Sequence, residues 1–201
     1  VGGIHNLVLE RAELNQQVQS DIATRLSGAQ TMVGPVLVQQ LQLRKTAANT
    51  SVVDLPQWQV NGASQLKIQS NAQVEQRSRG LYRVRVYQSQ HHIQAQFGPQ
   101  ALLPSSFVAQ GVVGDEQVRR VDSYLAFAVS DVRGLSTLPV VKINGVARAV
   151  VAGSGLQAIP EGVRVPISAD ELAQGFQLEM AVDLQGSTGL DVLPTADSTE
   201  W

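Results

Sequence analysis

The sequence has no cysteine among its 201 residues. Disulfides, thiolate metal sites and a cysteine nucleophile are therefore excluded. A core in an oxidising compartment would simply hold without covalent staples. No apolar run reaches the ~18 residues that mark a membrane span, so the chain as it stands is expected to be soluble. Charge is scarce as well, at 16% of residues against about 25% in an ordinary globular protein. The 15 basic and 17 acidic side chains leave a formal net charge of −2. That argues against the strongly basic footprint of a nucleic-acid binder, and the scattered carboxylates form no acidic tail. Phosphate-cradling loops are missing too. None of Lys45, Lys67 and Lys142 follows a glycine-rich run.

Amides and valines fill the space that charge leaves. There are 24 Gln, and the 28 Val outnumber every other hydrophobe. Valine favours strands, and the length suits one domain or two. Residues 4–27 read as one long amphipathic helix. Leu14, Val18, Ile22 and Leu26 recur every four residues, and Glu10, Arg11, Glu13, Gln16 and Gln17 occupy the other face. Gly28 is placed to stop it. Beyond Gly34-Pro35 the period drops to two. Strands are expected over 36–43, around Leu66 and Ile68, and from Val74. Residues 82–87 and 93–97 read as a hairpin turning at 89–91, and 45–58 as a polar loop with room for one short strand. Further strands are expected at 125–129, 163–165, 176–184 and 190–193. Asn144-Gly145 marks a tight hairpin turn, and Ser168 with Glu171 a capping box. The fold class that follows is mainly β: an antiparallel sandwich-like domain over 29–201 with a long N-terminal helix over 1–28.

Chemistry is sparse. His91 and His92 are neighbours, so on a strand they point to opposite faces and cannot share an ion. At a hairpin tip they are expected to be solvent-exposed. His5 has no nearby partner. No HExxH or EF-hand spacing occurs, so neither metal nor cofactor is expected. Gly153-Ser154-Gly155 imitates a nucleophile elbow, but Ala152 and Leu156 stand where G-x-S-x-G requires glycine; a tight turn is the expected reading. Arg83/Arg85 and Arg119-Arg120 read as solvated strand edges or ion-pair partners. The most pointed polar pair is Asp131 with Arg133, in the stretch Ser130-Asp131-Val132-Arg133-Gly134. Asp131 is an acid or base in a functional reading and a turn cap or ion-pair member in a structural one. Trp58 and Trp201 have no partners identifiable from the sequence.

Several segments together resemble the CreD family of bacterial inner-membrane proteins. They are Val8-Leu9-Glu10-Arg11-Ala12, Ser27-Gly28-Ala29-Gln30, Val33-Gly34-Pro35, Leu55-Pro56, Arg79-Gly80-Leu81-Tyr82, Val129 to Gly134, Gly153-Ser154-Gly155-Leu156 and Leu193-Pro194. The resemblance spans nearly the whole chain, with a departure at Ala152, where the family often has proline. It implies an N-terminal transmembrane helix, a large periplasmic region and several C-terminal transmembrane helices. Residues 1–28 would then continue from the first span, and 29–201 would be the first part of a periplasmic domain that extends past Trp201. The family is linked to envelope integrity, and it carries no established catalytic residues to transfer.

The expectation that results is a non-enzymatic periplasmic domain of an inner-membrane protein, binding an envelope protein or lipid component. Two alternatives are a ligand sensor signalling through the first helix, and a hydrolase of envelope polymers using Asp131. The hydrolase lacks a second carboxylate at motif spacing. Gly28, Gly34, Pro35, Gly134, Gly153 and Gly155 are the expected turn-forming positions. The helix is expected to pack on the domain's own sheet, with an oligomer contact as the other outcome.

Overall fold

The computed structural model describes residues 28–46, 52–79, 82–107, 116–187, 189–193, 195–196 and 199–200. The helix expected over 4–27 lies outside the described residues, and so do His5 and Trp201. The described chain is mainly β. Its strands are β1 (Gln30–Thr46), β2 (Val52–Asn61), β3 (Gln65–Arg79), β4 (Tyr82–Phe97), β5 (Glu116–Val129), β6 (Val140–Ile143), β7 (Val146–Arg148), β8 (Val151–Ala152), β9 (Gly162–Pro166), β10 (Phe176–Ser187), β11 (Leu190–Leu193) and β12 (Thr199–Glu200). One short helix, α1 (Ala169–Gln174), precedes β10.

Two six-stranded, mostly antiparallel sheets result. The first runs β11-β1-β5-β9-β8, with β2 also paired to β1; the second runs β12-β3-β4-β10-β6-β7. Strand β1 organises the first sheet. One edge pairs with β5, while the other takes β11 over residues 30–33 and β2 over 37–46. The handover falls at Gly34-Pro35, where the β1–β5 register shifts between Val33 and Val36. Gly34 has φ +106°, and a Cβ there would stand 2.8 Å from the Ala126 carbonyl oxygen. The pair is thus a bulge inside a strand beginning at Gln30, where the sequence suggested a turn before a strand beginning at Val36.

Three other expectations are corrected. Residues 52–61 form a ten-residue strand where the sequence suggested a polar loop with one short strand at most. β2 is exposed along residues 53–60, so it shows no buried alternation, and an edge position tolerates Pro56. Residues 65–79 form one strand, not two. Residues 82–97 form one continuous strand where a hairpin was expected. The cause is a change of buried face: Val84 and Val86 are buried on one side, then Tyr87, Ser89, His91 and Ile93 on the other. A switch in hydrophobic phase imitates a turn, but β4 pairs without a break to β3 and β10.

The other elements form as the sequence suggested. Asn144 and Gly145 have φ of 50° and 79° in the β6–β7 hairpin, as a type I′ turn requires. Ser168 Oγ accepts from the Glu171 N–H, and the Glu171 carboxylate accepts from the Ser168 N–H, completing the capping box of α1. The alternation from Phe176 to Leu184 buries Phe176, Leu178, Met180, Val182 and Leu184 and turns the residues between them outward. The inner faces of the two sheets close one core. Leu37, Leu125 and Phe127 come from the first sheet; Ile93, Phe97 and Leu178 come from the second. Phe97 and Phe176 stack at 5.0 Å.

Leu178 is 1% exposed at the centre of that core. Leu178→Ala is expected to cost roughly 2–5 kcal/mol, the lost transfer energy plus a cavity. Denaturant unfolding checks this, and a loss below about half a kcal/mol would place Leu178 outside the core.

Candidate functional site

Asp131 and Arg133 meet as the sequence suggested, in a self-contained turn. Asp131 caps the single 3-10 turn Val132–Gly134 that follows β5. Its Oδ1 accepts from the Arg133 backbone N–H at 2.9 Å, and the guanidinium of Arg133 donates to both carboxylate oxygens. The Arg133 hydrogen bond holds the carboxyl below the ordinary aspartate range, against the opposing effect of burial. Glu161 is a second carboxylate beside this turn, and it accepts the Val132 N–H. Behind the turn lies Gln30, fully buried. Its Nε2 donates to the Asp131 carbonyl oxygen at 2.9 Å, and its Oε1 accepts from Ser130 Oγ at 3.2 Å. A Cβ on Gly134 would collide with the Gln30 amide at 2.3 Å. Two sequence motifs, Ser27 to Gln30 and Ser130 to Gly134, therefore meet here through Gln30. An aspartate already committed to a guanidinium and a backbone N–H is a poor proton carrier.

The second expected turn is more consequential. Gly153 and Gly155 have φ of +84° and +78°, so glycine suits both. Ser154 is fully buried; its hydroxyl donates to the Ile159 carbonyl and accepts the Leu156 N–H. That hydroxyl is occupied in shaping a loop and is unavailable as a nucleophile. Arg164 Nη1 donates to the carbonyls of Ala152 and Gly153. Tyr124 Oη donates to the Gly155 carbonyl at 3.0 Å, and Gly155 lies so close to the ring that a Cβ would come within 2.6 Å.

The loop so fixed arches over the outer face of the first sheet. Under it, Val36, Val38, Tyr124 and Ala126 form a second, smaller apolar cluster against Leu156. Beside it opens a groove of about 330 Å³. Val38 lies in its floor, Trp58 and Val60 of β2 stand on one side, and Leu156, Ala158 and Ile159 on the other. Trp58 is 45% exposed and Val60 51%. Trp58 thus shares a groove with Leu156, which the sequence did not disclose because the two are brought to one place only by the pairing of β2 with β1 and of β1 with β5.

His91 was expected at an exposed turn and is 1% exposed in mid-strand, facing inward. Nδ1 lies 2.8 Å from Ser70 Oγ, and Nε2 lies 2.9 Å from Ser89 Oγ. Burial lowers its pKa, with Asp183 opposing. Burial thus favours the neutral imidazole, and both ring nitrogens meet serine hydroxyls, without the hydrogen-bonded carboxylate that orients a catalytic histidine. The continuing alternation Tyr87, Ser89, His91, Ile93 was the signal for this placement. His92 is exposed on the opposite face. A polar hollow of about 300 Å³ on that outer face is lined by Gln73, Gln88, Gln90 and Asp183 among others. Asp131 lines neither hollow.

The sequence model of one family, described as Inner membrane protein CreD, matches residues 1–201. The Inner membrane protein CreD of Escherichia coli (strain K12) is 26% identical over 201 residues, covering 98% of this chain and 43% of that relative. The chain thus spans less than half the length of the curated relative. No solved structure matches.

The Asp131 pair sets a pH dependence with a definite sign. A carboxyl held below its ordinary 3.8 contributes stability that is present above that value and lost as pH falls through the native one. Asp131→Asn is expected to lower the melting temperature by a few degrees near pH 7, with the difference from the parent closing under acid conditions. Melts taken from neutral pH down to about pH 2 check this. A difference that stays constant over that range would show the ion pair to be inert.

Proposed function

The chain belongs to the CreD family of inner membrane proteins, and on that premise we propose that it forms a non-enzymatic periplasmic domain that binds an apolar envelope component or partner protein. No described helix is long and apolar enough to cross a membrane. The groove between Trp58, Val60 and Leu156 carries the reading. It presents an exposed tryptophan and aliphatic side chains on a rigid sheet, the combination that anchors a hydrophobic ligand or a hot spot. The non-enzymatic part rests on how the polar groups are used. Asp131 is bound to Arg133, Ser154 shapes a loop, and the core between the sheets is filled by side chains.

Two measurements test this. A reporter fused after Trp201 in cells should read periplasmic. Capture from envelope extract should be lost with Trp58→Ala or Val60→Asp while the melting temperature stays within about 2 °C of the parent, since both side chains are half exposed. Capture that survives both substitutions would remove the groove from the function.

A further inference from the structure

The β3–β4 hairpin outruns its neighbour. The pairing of β10 with β4 ends at Val86. Past that point residues 76–79 and 82–85 pair with each other, a two-stranded ribbon extending beyond the sheet. Four arginines fall within this ribbon: Arg77, Arg79, Arg83 and Arg85. The register places Arg83 and Arg85 on one face and Arg77 on the other. Arg77, Arg83 and Arg85 are exposed. Among the described residues, one carboxylate answers them: Glu75, 3.8 Å from Arg77.

Several cations elsewhere meet carboxylates: Arg44 meets both oxygens of Asp54, Lys45 meets Glu116, and Arg148 meets Glu171. Among the described residues the ribbon is thus a local concentration of positive charge, and it runs against the net charge of −2. Its location adds direction. Gly28 accepts the Ser187 N–H, and a Cβ on Gly186 would touch both the Gly28 carbonyl and the Tyr87 hydroxyl. The ribbon thus leaves the sandwich at the end where residue 28 enters it.

We propose that the arginine ribbon docks on anionic phospholipid headgroups, holding this end of the sandwich against the membrane. The inference rests on the membrane-adjacent reading above and adds the surface that makes the contact. Guanidinium pairs phosphate oxygens in a fork, which gives geometry as well as charge. Screening over about 10 Å at 0.1 M salt confines the attraction to residues that reach the surface, and the ribbon's arginines are placed to do so.

The test uses the 201-residue chain in vesicle flotation, with phosphatidylglycerol–phosphatidylcholine vesicles against pure phosphatidylcholine. The chain is expected to float with the anionic vesicles at about 50 mM salt and to be released at about 0.5 M. Each arginine is worth about a fivefold change in partition. The triple variant Arg77→Gln, Arg83→Gln, Arg85→Gln should therefore lose roughly a hundredfold, while Arg→Lys at the same three positions should fall between the glutamine variant and the parent, keeping the charge and losing the fork. Both variants should melt with the parent. The proposal is overturned if the parent floats equally with neutral vesicles or with none, if the glutamine variant binds like the parent, or if lysine restores nothing. If the ribbon binds as described while the fused reporter reads cytoplasmic, the lipid contact stands and the periplasmic reading fails.

Discussion

A buried amide at the start of β1 holds the first sheet in place. Gln30 has no exposure, donates to the Asp131 carbonyl and accepts from Ser130 Oγ. Removing a partner from a buried polar group costs about 1–3 kcal/mol, so the amide, the serine and the 3-10 turn are energetically one unit. From that anchor β1 runs 17 residues, and the register of β11, β5 and β2 is counted along it. The Gly34-Pro35 bulge then lets one strand edge serve two partners in succession, parallel β11 first and antiparallel β2 second.

That arrangement produces the groove. β2 continues the sheet sideways past the part of β1 that β11 occupies, and carries Trp58 and Val60 onto the outer face. β5 supplies Tyr124, whose hydroxyl and ring fix the loop bearing Leu156. Neither wall is held by the other; both refer to β1 and β5. The groove is therefore preorganised, and an apolar occupant would not have to order it on binding.

Parts of this were legible in the residues. The strict alternation of β10, the Asn144-Gly145 turn and the Ser168–Glu171 box are local devices, and local rules read them correctly. Asp131 and Arg133 are two residues apart, so their pairing was legible as well. The long β4 was not, because its buried face changes midway and a phase shift in hydrophobicity looks like a turn. β2 was read as one short strand at most for the opposite reason: an edge strand exposed along its length has no buried face to betray it.

The sequence by itself determined the class of the molecule, because strand periodicity, turn chemistry and the absence of cysteine are properties of neighbouring residues. It also determined that no residue cluster spells out a reaction. The tertiary structure alone decided what Gln30, His91 and Trp58 do. Each is an ordinary residue in its own segment, and each acquires its place from strand pairing: Gln30 meets the turn at Asp131, His91 meets Ser70, and Trp58 comes to line one groove with Leu156. Contacts between residues distant along the chain depend on which strands become neighbours, and that choice is made by burying the whole core at once rather than by any local pattern.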